Sequence, residues 1–253
     1  MLIGEVNNIH FDDCRNVLPI LPDGCVDLLL QDTPFECTQN DWDIKPDLKE
    51  MWPLWNTATK DNGAMIFFAT QPFASELINS NLKNFRYDLI WYKALGTGFL
   101  NANRMPMRNH EIILVFYRSL PTYNPQMSIG KMKQKGRRKT SESVNPNNYG
   151  KFKDVPMVVN DKYFPESVID ITNGDRTVEN DHPTQKPIDI MRYLIRTYSN
   201  EGDLVFDGYV GSGTTADACI VENRNFIVCE NKLEFYKMTV KRIEQRKSQT
   251  TLF

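Results

Sequence analysis

The sequence predicts an α/β domain with a mostly parallel sheet, and two observations carry that expectation. Short apolar runs rich in Val, Ile, Leu and Phe alternate with longer stretches of helical periodicity. Two of those runs also end in turns built like ligand sites, Asp32-Thr33-Pro34-Phe35 and Asp207-Gly208-Tyr209-Val210-Gly211-Ser212-Gly213-Thr214-Thr215. Junctions of this kind lie at the carboxyl edge of a parallel sheet, where such folds bind their ligands.

Taken in order, the apolar runs place strands at Val26 to Gln31, Ala64 to Ala69, Tyr87 to Tyr92, Glu111 to Tyr117, Leu204 to Phe206 and Asn225 to Cys229. Helical patterns fall between several of them, at Leu48 to Thr59, Pro72 to Asn79, Ile188 to Tyr198, Thr214 to Glu222 and Lys232 to Arg246. From Ser119 to Pro165 the periodicity fades and Pro, Asn, Gly, Ser and Lys take over. That stretch is too long for an ordinary loop, so it is a small inserted module or a mobile functional segment. The expected organisation is a first half over 1–118, the insertion over 119–165, a second half of the same domain over 166–247, and a tail over 248–253.

At 253 residues the chain buries a core without staples. A formal charge of -2 excludes a protein that binds nucleic acid by bulk charge, so a nucleic-acid face must be local. The cysteines at 14, 25, 37, 219 and 229 form no CxxC pair and have no histidines at zinc spacing. They read as reduced thiols of a cytoplasmic protein without a metal site. The first residues lack the basic start and apolar stretch of a signal peptide, and no run has the length of a membrane span.

An acid, a proline and an aromatic after a strand are by themselves a plain turn more often than a site. The glycines of the second turn let the backbone bend sharply and approach a ligand. About 20 residues further on, Glu230 stands where nucleotide-type folds place an acid on ribose hydroxyls. Just upstream lies His182-Pro183-Thr184-Gln185-Lys186-Pro187. With these three motifs together, the chain resembles the beta-class DNA amino-methyltransferases, in which a DPPY-type catalytic motif precedes the cofactor loop and an HPTQKP segment leads into it. Trp42-Asp43, Asn62-Gly63, His110-Glu111 and Asn200-Glu201-Gly202-Asp203 extend the resemblance through nearly the whole chain.

The resemblance implies a Rossmann-like S-adenosylmethionine-dependent methyltransferase fold with circularly permuted motif order: a seven-stranded, mostly parallel sheet with one antiparallel strand. It implies methyl transfer to an exocyclic base amine in duplex DNA, within restriction-modification, and adenine N6 as the target, because an acid at position 32 goes with adenine and Ser with cytosine. In that reading Asp32 and the carbonyl of Thr33 accept the two N-H bonds of the amine, Pro34 stiffens the turn, and Phe35 stacks on the flipped base. Asp207, Gly208, Tyr209, Gly211, Ser212, Gly213 and Thr214 hold the methionine end of S-adenosylmethionine. Thr184, Gln185 and Lys186 lie near its carboxylate, and Glu230 takes the ribose.

The chain departs from the family pattern at three places. Thr33 replaces Pro, Phe35 replaces Tyr, and Gly208-Tyr209 replaces Pro-Phe or Phe-Thr, with the extra glycine expected to loosen the loop. These departures leave open a catalytically silent DNA-binding or cofactor-binding relative; an N4-cytosine enzyme, and action on RNA or free nucleotide, are further alternatives that the sequence does not exclude.

Lys131, Lys133, Lys135, Arg137, Arg138 and Lys139 crowd one stretch of the insertion. A charge run alone is usually a solvated loop. Where the related enzymes carry their target-recognition region, it is instead expected to touch phosphates, with Asn145, Asn147, Asn148 and Tyr149 as candidate base readers. The last residues, Gln249-Thr250-Thr251-Leu252-Phe253, resemble the peptides that dock on the bacterial sliding clamp through a glutamine and an apolar pair. A homodimer contact, or packing back onto the chain's own surface, is the other use of Leu252 and Phe253.

Overall fold

A computed structural model of the chain describes residues 6–36, 43–135, 158–172 and 185–250. Ten strands and six α-helices follow one another in these segments. They are β1 (Asn8–Phe11), α1 (Cys14–Val17), β2 (Val26–Gln31), α2 (Leu48–Ala58), β3 (Thr59–Ala69), α3 (Phe73–Ser80), β4 (Phe85–Thr97) and β5 (Arg108–Phe116). The order continues with β6 (Ser128–Lys135), β7 (Val158–Tyr163), β8 (Val168–Asp170), α4 (Ile188–Tyr198), β9 (Leu204–Asp207), α5 (Thr214–Val221), β10 (Asn225–Glu230) and α6 (Leu233–Thr250).

Eight strands form one sheet in the order β1-β10-β9-β2-β3-β5-β4-β8. Only β5 runs against its neighbours, pairing antiparallel with both β3 and β4. The single antiparallel strand matches the expectation; β8, three residues along β4, brings the count to eight. Both faces are covered. Leu28 and Leu30 of β2 pack with Leu194 of α4, Ala218 of α5 and Ile243 of α6. Leu29 points the other way, to the layer holding Cys14 of α1, Trp52 and Trp55 of α2 and Leu77 of α3. Burial on both faces explains why Val26 to Gln31 reads as a nearly unbroken apolar run rather than an alternating one.

The chain leaves β2 towards β3 on one side and leaves β9 towards β10 on the other, so the adjacent carboxyl ends of β2 and β9 form the switch-point crevice of a doubly wound sheet. Gln31, fully buried, ties these two ends together. Its amide donates to the Phe206 carbonyl at 3.0 Å, and its carbonyl oxygen accepts from Gly208 N at 3.1 Å.

Residues Pro125–Glu166 form a compact unit of their own, in which β6 and β7 pair antiparallel from Ser128↔Tyr163 to Lys135↔Val158. Residues 119–124 belong with the larger unit, because Ser119 N donates to Asp61 O and Asn124 N to Thr197 O. At the other end α6 runs on to Thr250, so Gln249 is helical rather than part of an extended tail; no Gly or Pro interrupts the polar run from Arg246 to Thr250. Leu252 and Phe253 lie outside the described residues. Among the described residues no helix is long and apolar enough to cross a membrane.

Candidate active site

Asp32 leaves the end of β2, inside the crevice. Lys186, one residue before Pro187 at the start of α4, reaches across to it: Nζ lies 2.8 Å from Oδ1 and 2.6 Å from Oδ2. The same Nζ is 3.5 Å from Oε2 of Glu111, too long for a good hydrogen bond, while Glu111 Oε1 accepts from Lys93 Nζ at 2.9 Å. Two carboxylates and two ammoniums thus form one chain, each member at most a quarter exposed at its side chain, with Asp32 the most open at 24%. Mutual pairing is what makes such burial tolerable.

Burial pushes the Asp32 carboxyl above its usual value, and the Lys186 charge pulls it back only in part. For Lys186, burial acts to lower the pKa, but Asp32 and Glu111 outweigh it and hold the ammonium above its ordinary range. Glu111 is pushed up by burial and pulled down harder by Lys186 and Lys93, so it stays below the usual carboxylate range. The family resemblance sets Lys186 near a cofactor carboxylate. In the structure its ammonium lies on Asp32, because a buried ammonium with two carboxylates in reach goes to them.

Past Asp32 the chain is shaped by Asp43, whose Oδ1 accepts from both Phe35 N and Glu36 N at 2.9 Å. The Phe35 ring stacks on Phe73 of α3 with centroids 5.7 Å apart, and Lys186 Nζ lies 5.9 Å from its centre. Thr33 is buried, and its hydroxyl makes no hydrogen bond. An orphaned polar atom in the middle of the motif marks a place where a further partner fits.

The glycine turn follows β9 beside this cluster. Asp207, 1% exposed, accepts from Tyr209 N at 2.9 Å and from the Thr215 hydroxyl at 2.5 Å. Burial lifts its carboxyl to about 7; those two donors pull it down, while Asp32 and Glu230 push it further up. Glu230, at the end of β10, accepts from Gly211 N at 3.0 Å and Lys232 N at 2.8 Å. Helix α6 closes the loop from outside. Thr239 donates to Gly211 O, and Arg242 donates to the Thr214 hydroxyl, both at 2.8 Å.

Gly213 takes φ +86, and a Cβ there would come within 3.0 Å of the Thr239 backbone. Gly208 is needed for a different reason: a Cβ would lie 2.8 Å from Cys14 Cβ. The reading of Gly208 as a loosening residue is therefore corrected, since the strand end is wedged against α1 and pinned by Gln31. Ser212 is buried in the same turn, and Tyr209 packs into the core layer that includes Cys14.

The structure thus gathers Asp32, Thr33, Pro34, Phe35 and Lys186 on one side of the crevice and Asp207, the glycine turn and Glu230 on the other. Gln185 is half-buried beside Lys186. Thr184, Arg137, Arg138 and Lys139, and the side chain of Lys135, lie outside the described residues. Lys131 and Lys133 are exposed on β6, in the separate unit. Sequence reasoning missed Gln31, Lys93 and the part played by Glu111. Their signal was a polar or charged residue inside an apolar strand, which must find a partner.

A doubly wound domain whose switch crevice carries a glycine turn and a buried carboxylate has the build of a protein that takes a nucleotide-like ligand. The chain belongs to the DNA methylase family, whose N6_N4_Mtase model matches residues 26–241. The type II methyltransferase M1.MboII of Moraxella bovis is 31% identical over 252 residues, covering 91% of this chain and 94% of that protein. The fold is shared with the M1.HpyAVI-SAM complex at a TM-score of 0.63 and 22% identity, over 93% of this chain and 98% of that one. It is shared also with the cytosine-N4-specific PvuII DNA methyltransferase at 0.67 and 14%, over 94% and 86%.

Proposed function

We propose that this protein is an S-adenosylmethionine-dependent, site-specific DNA methyltransferase that methylates the N6 amino group of adenine in a flipped-out base. The observation that carries the reading is Asp32: a carboxylate at the switch crevice, beside a glycine turn, held in place by a lysine. The acid also supports adenine over cytosine, by the family association with an acid at this position.

The residues present fit the cofactor. Two buried acids stand on adjacent strand ends, and the close approaches at Gly208 and Gly213 leave no room for side chains. Gly211, Ser212, Gly213 and Thr214 receive the methionine end, with Asp207 shaping their turn. Glu230 takes the ribose, and Thr184 and Gln185 border the amino-acid end. When bound, the cofactor supplies a methyl group already activated on a sulfonium, so the protein's task is to raise the amine's nucleophilicity.

That task falls to the catalytic motif. The amine lone pair is delocalised into the ring, and acceptance of its two N-H bonds by Asp32 and the Thr33 carbonyl draws it back towards tetrahedral nitrogen. As nitrogen takes the methyl carbon, the carbon–sulfur bond breaks to leave a neutral thioether; the nitrogen becomes cationic, its bond to Asp32 strengthens, and its extra proton then passes to water. Phe35, braced by Phe73, offers a flat face for the extruded base. Lys131, Lys133, Lys135, Arg137, Arg138 and Lys139 contact phosphates and set the duplex in register.

The test is expression in a host lacking this modification, followed by mass spectrometry of DNA nucleosides and sequencing with modification detection. N6-methyladenine at one recurring sequence, absent with Asp32→Ala, is the expected result. N4-methylcytosine in its place would transfer the reading to cytosine, and unmodified DNA would leave a silent relative.

A further inference from the structure

Strands β4 and β5 run well past the sheet edge that carries Asp32. Glu111 and Lys93, at the base of this hairpin, belong to the charge chain that holds Lys186. The ladder continues outward to Thr97↔Arg108, where the Thr97 hydroxyl donates to the Arg108 carbonyl at 3.1 Å. At about 3.3 Å per residue, the step from Glu111 to Arg108 carries the hairpin roughly 10 Å beyond the catalytic cluster.

The tip beyond Thr97 is built from tight turns. Gly98 takes φ 88, Asn101 N donates to Gly98 O at 3.0 Å, and Arg104 N donates to Asn101 O at 2.8 Å. Yet its side chains are apolar and out in solvent: Phe99 is 73% exposed, Leu100 84% and Met105 59%. An ordered turn that shows several large apolar side chains together marks an interaction site. Charge says with what. Between Ala94 and His110 the chain has Arg104 and Arg108, both exposed, and no acid.

We infer that this tip is a wedge that enters duplex DNA beside the target base, with Phe99 and Leu100 filling the space the base leaves and Arg104 and Arg108 on the flanking phosphates. The inference rests on the proposed methylation of a flipped base. A base leaving the stack creates an apolar gap between its neighbours, and inserted apolar side chains are the means by which proteins hold such a gap open. A hairpin rooted in the catalytic cluster and aimed outward is placed to do so. The polyanion next to the gap accounts for arginines without acids.

The experiment compares wild type with the Phe99→Ala, Leu100→Ala double variant in single-turnover methyl transfer. Its two substrates are a paired duplex carrying the site mapped by sequencing and the same duplex with an abasic site opposite the target base, where extrusion costs less. The double variant is expected to lose about tenfold or more on the paired duplex and to return to within about threefold of wild type on the abasic one. Recovery there also shows that the variant is folded and active. Equal loss on both substrates, or none on either, overturns the wedge. So does a change in the sedimentation of the DNA-free protein, which would make the tip a contact between copies of the chain. A wild type inactive on both duplexes would remove the function itself and the wedge with it.

Discussion

Lys186 Nζ sits between the two carboxylate oxygens of Asp32, at 2.8 and 2.6 Å, so the acceptor proposed for the amine is engaged by a cation of its own chain. Burial raises the Asp32 pKa, and the Lys186 charge works against that rise. Glu111, 3.5 Å from the same Nζ, is a second acceptor to which the lysine can turn in the proposed reaction.

This arrangement predicts opposite pH shifts in two variants. If Asp32 acts as proposed, the acid limb of the rate profile follows its ionisation. Lys186→Met removes the charge that lowers the Asp32 pKa, so the limb moves to higher pH; transfer at neutral pH falls by about tenfold or more and partly recovers in alkali. Glu111→Gln removes a negative neighbour that raises it, so the limb moves to lower pH even as the plateau drops. Single-turnover rates across pH measure both. Shifts in the same direction would end the electrostatic account of the cluster.

Thr33→Val is expected to stabilise the fold by about 1 kcal/mol, because the buried hydroxyl it removes has no partner. The group proposed to act at this position is the backbone carbonyl, so transfer should stay within about threefold of wild type. Urea titration and a rate measurement check the two halves separately. A stable variant with much slower transfer would assign the hydroxyl to the substrate.

Much of this was legible in the sequence, for identifiable reasons. The bounds of β2 and α4 agree residue for residue with the runs Val26 to Gln31 and Ile188 to Tyr198, since β2 is apolar on both faces and α4 has a strong helical stripe ending at a Pro187 start. β1, β6, β7 and β8 left no such trace. They are short or solvated strands, and Ser128–Lys135 reads as polar because lysines line it. The two ligand turns stood out through Gly, Pro and Asp at fixed offsets. The contacts between them did not, because Lys186 meets Asp32 across 154 residues and Lys93 meets Glu111 across 18. Pairing at such separation depends on strand order, which no local pattern encodes.

In the separate unit, Lys131 and Lys133 are exposed on β6, and Lys133 Nζ lies 5.8 Å from the centre of the Tyr163 ring. Replacing both lysines with alanine should weaken binding to all DNA sequences alike and reduce the slope of log K against log salt by about 2, roughly one for each phosphate no longer neutralised. Titrations of labelled duplex at several salt concentrations give the slope directly. If it does not change, β6 is a solvated strand and the phosphates are met elsewhere.

Asp207 offers a test on stability rather than rate. Burial lifts its carboxyl from 3.8 to about 7 in the folded protein, against the Thr215 and Tyr209 donors. The folded chain therefore binds this proton more tightly than the unfolded one, so the stability it contributes is complete below pH 3.8 and is lost as pH rises through about 7. Asp207→Asn does not titrate, and its amide can still accept from Tyr209 N-H while donating to the Thr215 oxygen. The variant should gain on wild type as pH climbs between these limits, by a few kcal/mol at most, and the difference should then level off. Paired urea titrations from pH 4 to 9, without cofactor, measure it. A difference that stays flat across this range would mean that Asp207 ionises normally and that its two donors outweigh its burial.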